Sequence, residues 1–342
     1  MVWKIPEYTL SQVNKAGEVI RNSNLSPEDR ENALIIVDNW RASHAYPLHI
    51  LYLNLKKKCQ NPKSIVAQRL KRLNSINSKL DRQPTMKLSQ MQDLGGCRAI
   101  VSTTDEVYSL VHDLKSSRIR HLLKHEVDYI QNPRKSGYRS YHMVYQFQSD
   151  RNKTYNKNML IEIQIRTHLQ HYWATAVETM GLFTNQSLKA SVGEEDLLRF
   201  FLLISSLFAL KENQPLAPNT PNNVKDLISE IMIIDEEHNY LNMLSTLRIA
   251  IDHINTNKKH RKADYYLLVL NYKESSLQIK SYSKTEIEKA TNDYNEIEKN
   301  TKNSETDAVL VSVSSFSSLK SAYPNYFYDI KKFVLSVRDF IP

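Results

Sequence analysis

Residues 161–178, IEIQIRTHLQHYWATAVE, change period in mid-course, and that change restricts the fold more than any other stretch of the chain. Ile161, Ile163 and Ile165 alternate with Glu162, Gln164 and Arg166. A strand here has one apolar face and one face carrying an acid, an amide and a base. From His168 onward, Tyr172, Trp173, Ala176 and Val177 follow helical spacing. A strand whose polar row faces a cleft, backed by the helix after it, is a common way to present a carboxylate to a phosphate or a metal ion.

The apolar share of 41% over 342 residues supports a real core, one large domain plus a smaller one. Only 6 glycines argue against a Gly-rich all-β architecture. No apolar run reaches bilayer length and the N-terminus lacks a basic-then-apolar signal pattern, so a soluble cytoplasmic protein without membrane contact is expected. Two cysteines, Cys59 and Cys97, are too few for a disulfide framework or a four-ligand zinc site. The formal charge of +9 favours a polyanionic partner, nucleotide or nucleic acid.

Residues 7–58 read as mainly helical, with Ser26-Pro27-Glu28-Asp29 as a helix start. His44 and His49 read as packing residues between helices. Residues 63–80 read as one amphipathic helix: Ile65, Val66, Leu70, Leu73, Ile76 and Leu80 share a stripe, Arg69 falls inside it, and Lys71, Arg72, Ser75 and Lys79 flank it. An arginine on an apolar stripe is costly unless an acid or anion meets it. Asp93-Leu94-Gly95-Gly96 enters a short apolar strand whose glycines let backbone approach a ligand. A helix at 105–120 carries His112-Asp113, a dipeptide without the companions of a metal-dependent phosphohydrolase. The strand 125–131 leads into NPRKSGYRSYH, a basic, tyrosine-bearing loop of the kind that clamps phosphate while an aromatic stacks on a base. The strand 140–147 follows. Beyond 182 come a buried helix at 197–212, a proline break at 215–221, a long helix at about 222–256, and a basic linker, KKHRK. A hairpin, a charged helix at 284–300, a strand at 307–314 and a helix at 327–340 then form a ββαβα unit, so the domains are placed at 1–257 and 258–342.

The ordered elements R-x-K-x7-K, D-x-x-G-x-R, G-Y-x-S-x-H and E-x-Q-I-R-T, over roughly residues 60–180, resemble the synthetase domain of the RelA/SpoT family of nucleotide pyrophosphokinases, without the hydrolase domain of its long members. The resemblance implies an α+β fold, a nucleotidyltransferase-like mixed β-sheet flanked by helices. It implies transfer of the β,γ-pyrophosphoryl group of ATP to a ribose 3′-hydroxyl. Carried over by position, Arg69, Lys71 and Lys79 would hold the ATP phosphates and Arg98 the nucleotide or its phosphates. Asp93 and Glu162 would be catalytic and bind Mg²⁺. Tyr138 would stack on the acceptor base, and His142 and Gln164 would orient the acceptor. The role of Arg166 stays open, stabilisation of the neighbouring carboxylates being the plain alternative.

The loop Arg134-Lys135-Ser136-Gly137-Tyr138 departs from the Lys-x-Asn-Gly-Tyr of alarmone synthetases. The segments NWRASHAYPLH and GEEDLLRFFLLISSLFALKE resemble toxic small alarmone synthetases that pyrophosphorylate the 3′-CCA end of tRNA. The C-terminal unit resembles the pseudo-zinc-finger antitoxin domain of CapRel-like fused proteins, without zinc, with Tyr323 and Tyr326 as a regulatory YxxY that a phage protein such as capsid relieves. These likenesses imply a tRNA 3′-end pyrophosphokinase, with Arg118, Arg120, Lys124, Arg134 and Lys135 as tRNA contacts, inhibited by its own C-terminal domain and serving phage defence. A (p)ppGpp or (p)ppApp synthetase is the alternative, and a non-catalytic nucleotide or RNA sensor the third reading.

Overall fold

The computed structural model describes residues 3–21, 26–183, 188, 193–238, 240–241, 244, 264–271, 276–300, 306–312 and 330–341. Three helices open the chain: α1 (Leu10–Arg21), α2 (Pro27–Ser43) and α3 (Ala45–Lys58). Ser26 caps α2, its hydroxyl accepting a hydrogen bond from the Asp29 amide, with Pro27 in the first turn, as the sequence led us to expect. His44 sits buried at the α2–α3 junction, Nδ1 2.7 Å from the Trp40 carbonyl oxygen, and burial lowers its pKa to about 4. It is a packing residue.

Residues 63–80 are not one helix. The strand β1 spans Ile65–Leu70, and the helix α4 starts only at Leu73 and ends at Arg82. Over six residues an alternating pattern can mimic helical spacing, and the β-branched Ile65 and Val66 suit a pleated surface. The deciding interaction is long-range: β1 pairs antiparallel with β2 (Gly95–Val101), Ile65 opposite Ile100 and Leu70 opposite Gly95. The second half of the expected stripe survives in α4, where Ile76 and Leu80 are fully buried.

After β2 come α5 (Thr104–Lys115), β3 (Leu122–Asp128), β4 (Tyr141–Gln146) and β5 (Leu160–Thr167). His112 and Asp113 lie exposed on α5. Three helices follow: α6 (His168–Phe183), α7 (Glu195–Lys211) and α8 (Val224–His238). The chain then adds β6 (Tyr265–Asn271), β7 (Ser276–Tyr282), the helix α9 (Ile287–Asn300), β8 (Thr306–Ser312) and the helix α10 (Lys331–Arg338). The KKHRK stretch lies outside the described residues.

Among the described residues eight strands form one mixed sheet in the order β3-β4-β5-β2-β1-β8-β6-β7, in which β2 and β5 run parallel. The expected ββαβα order is present, but a detached zinc-finger-like body is not supported. β8 pairs antiparallel with β1, Gln68 opposite Ser312 and Arg69 opposite Val311, so the C-terminal strands extend the central sheet.

One face of the sheet is apolar. Ile161, Ile163 and Ile165 are fully buried against Leu48, Leu51 and Leu55 of α3 and against Val107, Leu110, Val111 and Leu114 of α5. A second cluster joins α6, α7 and α8 to α10, whose Phe333 packs 6.0 Å from Phe201 and 5.8 Å from Phe208, ring centre to ring centre. α1, α2 and α4 form a third cluster around Trp40, Ile76 and Leu80.

Candidate active site

The polar face of the sheet assembles the candidate site by register. Arg69 on β1 stands opposite Gly96 on β2, which stands beside Glu162 on β5. One row on, Ala67, Arg98, Gln164 and His142 line up across β1, β2, β5 and β4. Neighbouring strands lie about 4.8 Å apart, so the backbones of Arg69 and Glu162 are separated by roughly 10 Å. Between them Gly96 leaves the face open, since a Cβ there would meet nothing within 4 Å. The neighbouring Gly95 points the other way, where a Cβ would come within 2.7 Å of Ile161. The glycine pair thus does two jobs, a close approach to the core and a gap above the site.

At one end of this trough, Asp93 holds two ammonium groups. Lys71 Nζ donates to Oδ2 at 2.7 Å and Lys79 Nζ to Oδ1 at 2.8 Å. Lys71 is placed by the end of β1, its amide bonded to the Leu94 carbonyl at 2.8 Å, and Lys79 comes half-buried from the last turn of α4. Burial alone would raise the Asp93 carboxyl, but the two lysines outweigh it and hold the group well below the usual carboxylate range. Burial lowers the Lys71 pKa, only partly offset by Asp93 and worsened by the charges of Lys79 and Arg69.

Across the gap a chain of four side chains runs Tyr138–His142–Glu162–Gln164. The Tyr138 hydroxyl is 2.9 Å from His142 Nε2, His142 Nδ1 is 2.9 Å from Glu162 Oε1, and Gln164 Nε2 donates to Glu162 Oε2 at 2.8 Å. Burial opposes charge on His142, yet Tyr138 and Glu162 raise its pKa to about 9. Burial likewise raises Glu162, and the hydrogen bond and charge of His142 bring it below its ordinary value. The result is an ionised carboxylate with a protonated imidazole on one side and an amide on the other.

Tyr129 is a member the sequence reading missed. It follows β3 directly, its ring packs edge-on to His142 at 5.2 Å and to Tyr138 at 6.1 Å, and the Arg134 guanidinium lies over it at 4.4 Å. Its signal was a tyrosine at the mouth of the basic loop, facing a tyrosine at the other end of that loop.

The loop itself is anchored to α7. Ser205 Oγ donates to the Gly137 carbonyl at 2.5 Å and accepts from Arg139 Nε at 3.1 Å, while Arg139 also donates to the Ile130 carbonyl at 3.0 Å. Gly137 has φ +85°, and a Cβ there would fall 2.8 Å from Ser205 Cβ. Tyr138 sits between the two anchored residues, so α7 fixes the phenol on which His142 rests.

Arg69 and Arg98 share the polar face with these groups. Arg118, Arg120, Lys124, Arg134 and Lys135 are all exposed, but they do not converge. Arg118 and Arg120 precede β3 and Lys124 lies in it. Arg134 and Lys135 follow its far end, roughly 20 Å away for seven strand residues. Arg120 pairs with Asp150. Arg134 is the one that reaches the site, stacked on Tyr129 and 5.5 Å from the Tyr138 ring. Tyr323 and Tyr326 lie outside the described residues.

Asp93 and Glu162 are close enough for the charge of one to raise the pKa of the other. Their oxygens are the hard donors that Mg²⁺ takes, one or two carboxylates with the rest of the shell on substrate phosphates, and each of the four is engaged here by Lys71, Lys79, His142 or Gln164. Among the described residues no group of three or more His, Cys, Asp or Glu forms an all-protein cage.

Residues 68–186 match the family described as "Region found in RelA / SpoT proteins". The chain is 33% identical over 125 residues to GTP pyrophosphokinase YjbM of Bacillus subtilis (strain 168), covering 35% of this chain and 57% of that protein. It is 32% identical over 140 residues to GTP pyrophosphokinase YwaC of the same organism, covering 40% of this chain and 66% of that protein. The match therefore spans little more than half the length of YjbM. The small alarmone synthetase 1 from Bacillus subtilis bound to its product pppGpp aligns with a TM-score of 0.43 at 24% identity, over 54% of this chain and 94% of that one. The matched residues 68–186 include every polar side chain of the trough described above.

Proposed function

We propose that this chain is an ATP-dependent pyrophosphokinase that transfers the β,γ-pyrophosphoryl group of ATP to the 3′-hydroxyl of a guanine nucleotide. The observation that carries the reading is the juxtaposition, on one sheet face, of the Lys71–Asp93–Lys79 cluster with the Tyr138–His142–Glu162–Gln164 chain across Gly96. The two matched relatives named GTP pyrophosphokinase support the acceptor class. Lys71, Lys79 and Arg69 neutralise the ATP phosphates, and Tyr138 stacks on the acceptor base. Glu162 takes the proton of the 3′-hydroxyl as its oxygen bonds to the β-phosphorus. The bond from that phosphorus to the α–β bridging oxygen breaks, and AMP leaves. His142 and Gln164 keep Glu162 ionised and aimed. Such transfers depend on placement and charge neutralisation more than on a strong nucleophile. Asp93 and Glu162 would hold Mg²⁺, which when bound neutralises phosphate charge at the site.

A second reading, transfer to the 3′-CCA end of tRNA, is favoured by one observation: Arg134 lies against the acceptor aromatics while four further bases stay exposed along β3 and its flanks. Regulation through Tyr323 and Tyr326, release by a phage protein and a role in phage defence belong with that reading. Incubating the full-length protein with Mg²⁺, ATP labelled at the γ-phosphate, and GDP, GTP or tRNA separates the cases. The expected result is AMP release with label in the guanine nucleotide. Label in tRNA alone moves the assignment to the second reading. No AMP release with any acceptor from the full-length protein removes the first reading, and the same result from the Tyr323→Ala/Tyr326→Ala variant removes the second and leaves a non-catalytic nucleotide sensor.

A further inference from the structure

Glu212 closes the C-terminal end of α7 and lies outside the trough. It reads out a cap on the neighbouring helix. Thr167 ends the strand that carries Glu162, and Gln170 stands in the first turn of α6. The Gln170 amide donates to Thr167 Oγ1 at 3.3 Å, and the Thr167 amide donates to Gln170 Oε1 at 3.2 Å. That reciprocal pair leaves one hydroxyl proton and one side-chain NH₂ to spare. Glu212 takes both: Thr167 Oγ1 donates to its Oε1, and Gln170 Nε2 donates to its Oε2 at 2.9 Å. One carboxylate thus joins the end of β5 to the end of α7. Burial raises its pKa, and the hydroxyl, the amide and the charge of Arg139 pull it back.

Arg139 shares a small cavity with it. The wall of that cavity includes Gly137, Gln170 and Ser205, and its charged members are Arg139 and Glu212. Arg139 is buried, and its Nε and Nη1 donate to neutral acceptors, Ser205 Oγ and the Ile130 carbonyl. Its Nη2 is buried without a hydrogen bond. A buried guanidinium with neutral partners calls for a counter-charge, because an uncompensated buried charge is expensive. Glu212, on the same cavity wall, is that charge. The consequence reaches the trough through the chain. Arg139 follows Tyr138, Ile130 follows Tyr129, and the Arg139 fork ties the two ends of their loop together. A second tie runs beside it, from Gln131 Nε2 to Gln214 Oε1 at 2.7 Å, just past Glu212.

We propose that Glu212 is a positioning residue for the transfer: it locks Arg139 to the end of β5 and so holds Tyr129 and Tyr138 in fixed register with Glu162. The role in transfer rests on the pyrophosphokinase reading; the lock on the tyrosine–histidine chain does not. A displacement on the order of 1 Å between acceptor and base is enough to cost such a reaction heavily.

Two readouts on the full-length protein test it. One is steady-state kinetics with Mg²⁺, ATP and GDP or GTP. The other is the titration of His142, followed by NMR of its imidazole Cε1–H and assigned with His142→Gln. Glu212→Gln keeps the side-chain length and withdraws the charge. It is expected to raise the KM for the guanine nucleotide about tenfold and to leave the KM for ATP within about twofold. It should also bring the His142 pKa from about 9 toward the ordinary 6.5, because the phenol facing Nε2 is no longer held. Arg139→Gln should do the same. The double variant Arg139→Gln/Glu212→Gln should do no more than either single one, since all three lose one contact. Glu230→Gln, which breaks the Arg199 ion pair elsewhere on α7, should move neither readout. An unaltered acceptor KM and an unaltered His142 titration in Glu212→Gln would overturn the proposal. Additive losses in the double variant, an equal rise in both KM values, or an equal change in Glu230→Gln would overturn it as well. If Glu212→Gln does not fold, Thr167→Val, which withdraws one of the two donors, decides by the same criteria. If the wild type transfers nothing to any acceptor, the activity reading falls and the His142 titration decides the lock: a fall in Glu212→Gln sustains it and an unchanged value ends it.

Discussion

At the scale of single residues, the site is governed by which groups are forced to stay charged. Glu162 is a weak base by its lowered pKa, and its value lies in being ionised and aimed by His142 and Gln164. Glu162→Gln should therefore lower the transfer rate by roughly 10²–10⁴-fold, the usual contribution of a positioned acid or base, while ATP binding followed by fluorescence stays within a few-fold. His142 carries a pH dependence of stability. Its folded pKa of about 9 lies above the ordinary 6.5, so the stabilisation is fully present below about pH 6.5. It is lost as the pH rises through 9. Thermal melts between pH 6 and 9.5 should show that decline in the wild type and a flatter profile in His142→Gln. An unchanged slope in the variant would assign the decline to another group. Asp93 acts in the opposite sense: its depressed pKa makes it a source of stability above the ordinary carboxylate range that fades in acid.

At the scale of elements, α7 matters because it touches two things at once. One face holds the Gly137–Tyr138 loop, proposed to meet the acceptor, through Ser205, and another packs on Phe333 of the terminal helix. Ser205→Ala removes the hydroxyl shared by Gly137 and Arg139. We expect the KM for the acceptor to rise about tenfold, the equivalent of one such hydrogen bond to a charged group, with the KM for ATP little changed. Equal movement of both constants would mean that α7 supports the whole trough and not the tyrosine. Phe333 is fully buried, so Phe333→Ala should cost about 3–5 kcal/mol in urea unfolding. The strand β1 teaches the complementary lesson. Its six residues fit two periodicities, and pairing with β2 and β8 selected the extended one.

At the scale of the molecule, the C-terminal strands extend the sheet that carries the candidate site, pack with α9 in a small cluster of their own around Leu267, Tyr282, Ala290, Tyr294 and Ala308, and leave α10 to join the core of α6 and α7. β8 covers the edge of β1, the strand that carries Arg69, and α10 closes the cluster of α6 and α7. Arg41 adds a bridge: its Nε donates to the Lys71 carbonyl at 2.7 Å while its guanidinium lies 4.5 Å over the ring of Tyr294 on α9. Deleting residues 258–342 should therefore expose a sheet edge and the apolar faces of α6 and α7. The expected outcome is concentration-dependent association in size-exclusion chromatography and a lowered melting temperature. A monodisperse, equally stable truncation would show that the sheet does not need its C-terminal half.

The residue types of the site were legible in the chain because local pattern and chemistry coincide there. Alternation placed Glu162 and Gln164 on one strand face, Gly95-Gly96 marked a close approach, and the basic loop announced Tyr138. The helical character of residues 7–58, of α5 and of α7 was legible for the same reason, since apolar spacing and the Ser26 cap of α2 are local properties. What the tertiary structure alone decided depends on partners far apart in sequence. It turned Arg69 from a helix stripe onto a strand and gave Asp93 two lysines. It tied the C-terminal unit to β1 through β8. The row Glu162-Gln164-Arg166 was visible as a polar face from the start. What holds its first members in place, His142 on Glu162 and Gln164 against the same carboxylate, is set by neighbours that only the folded sheet brings within reach.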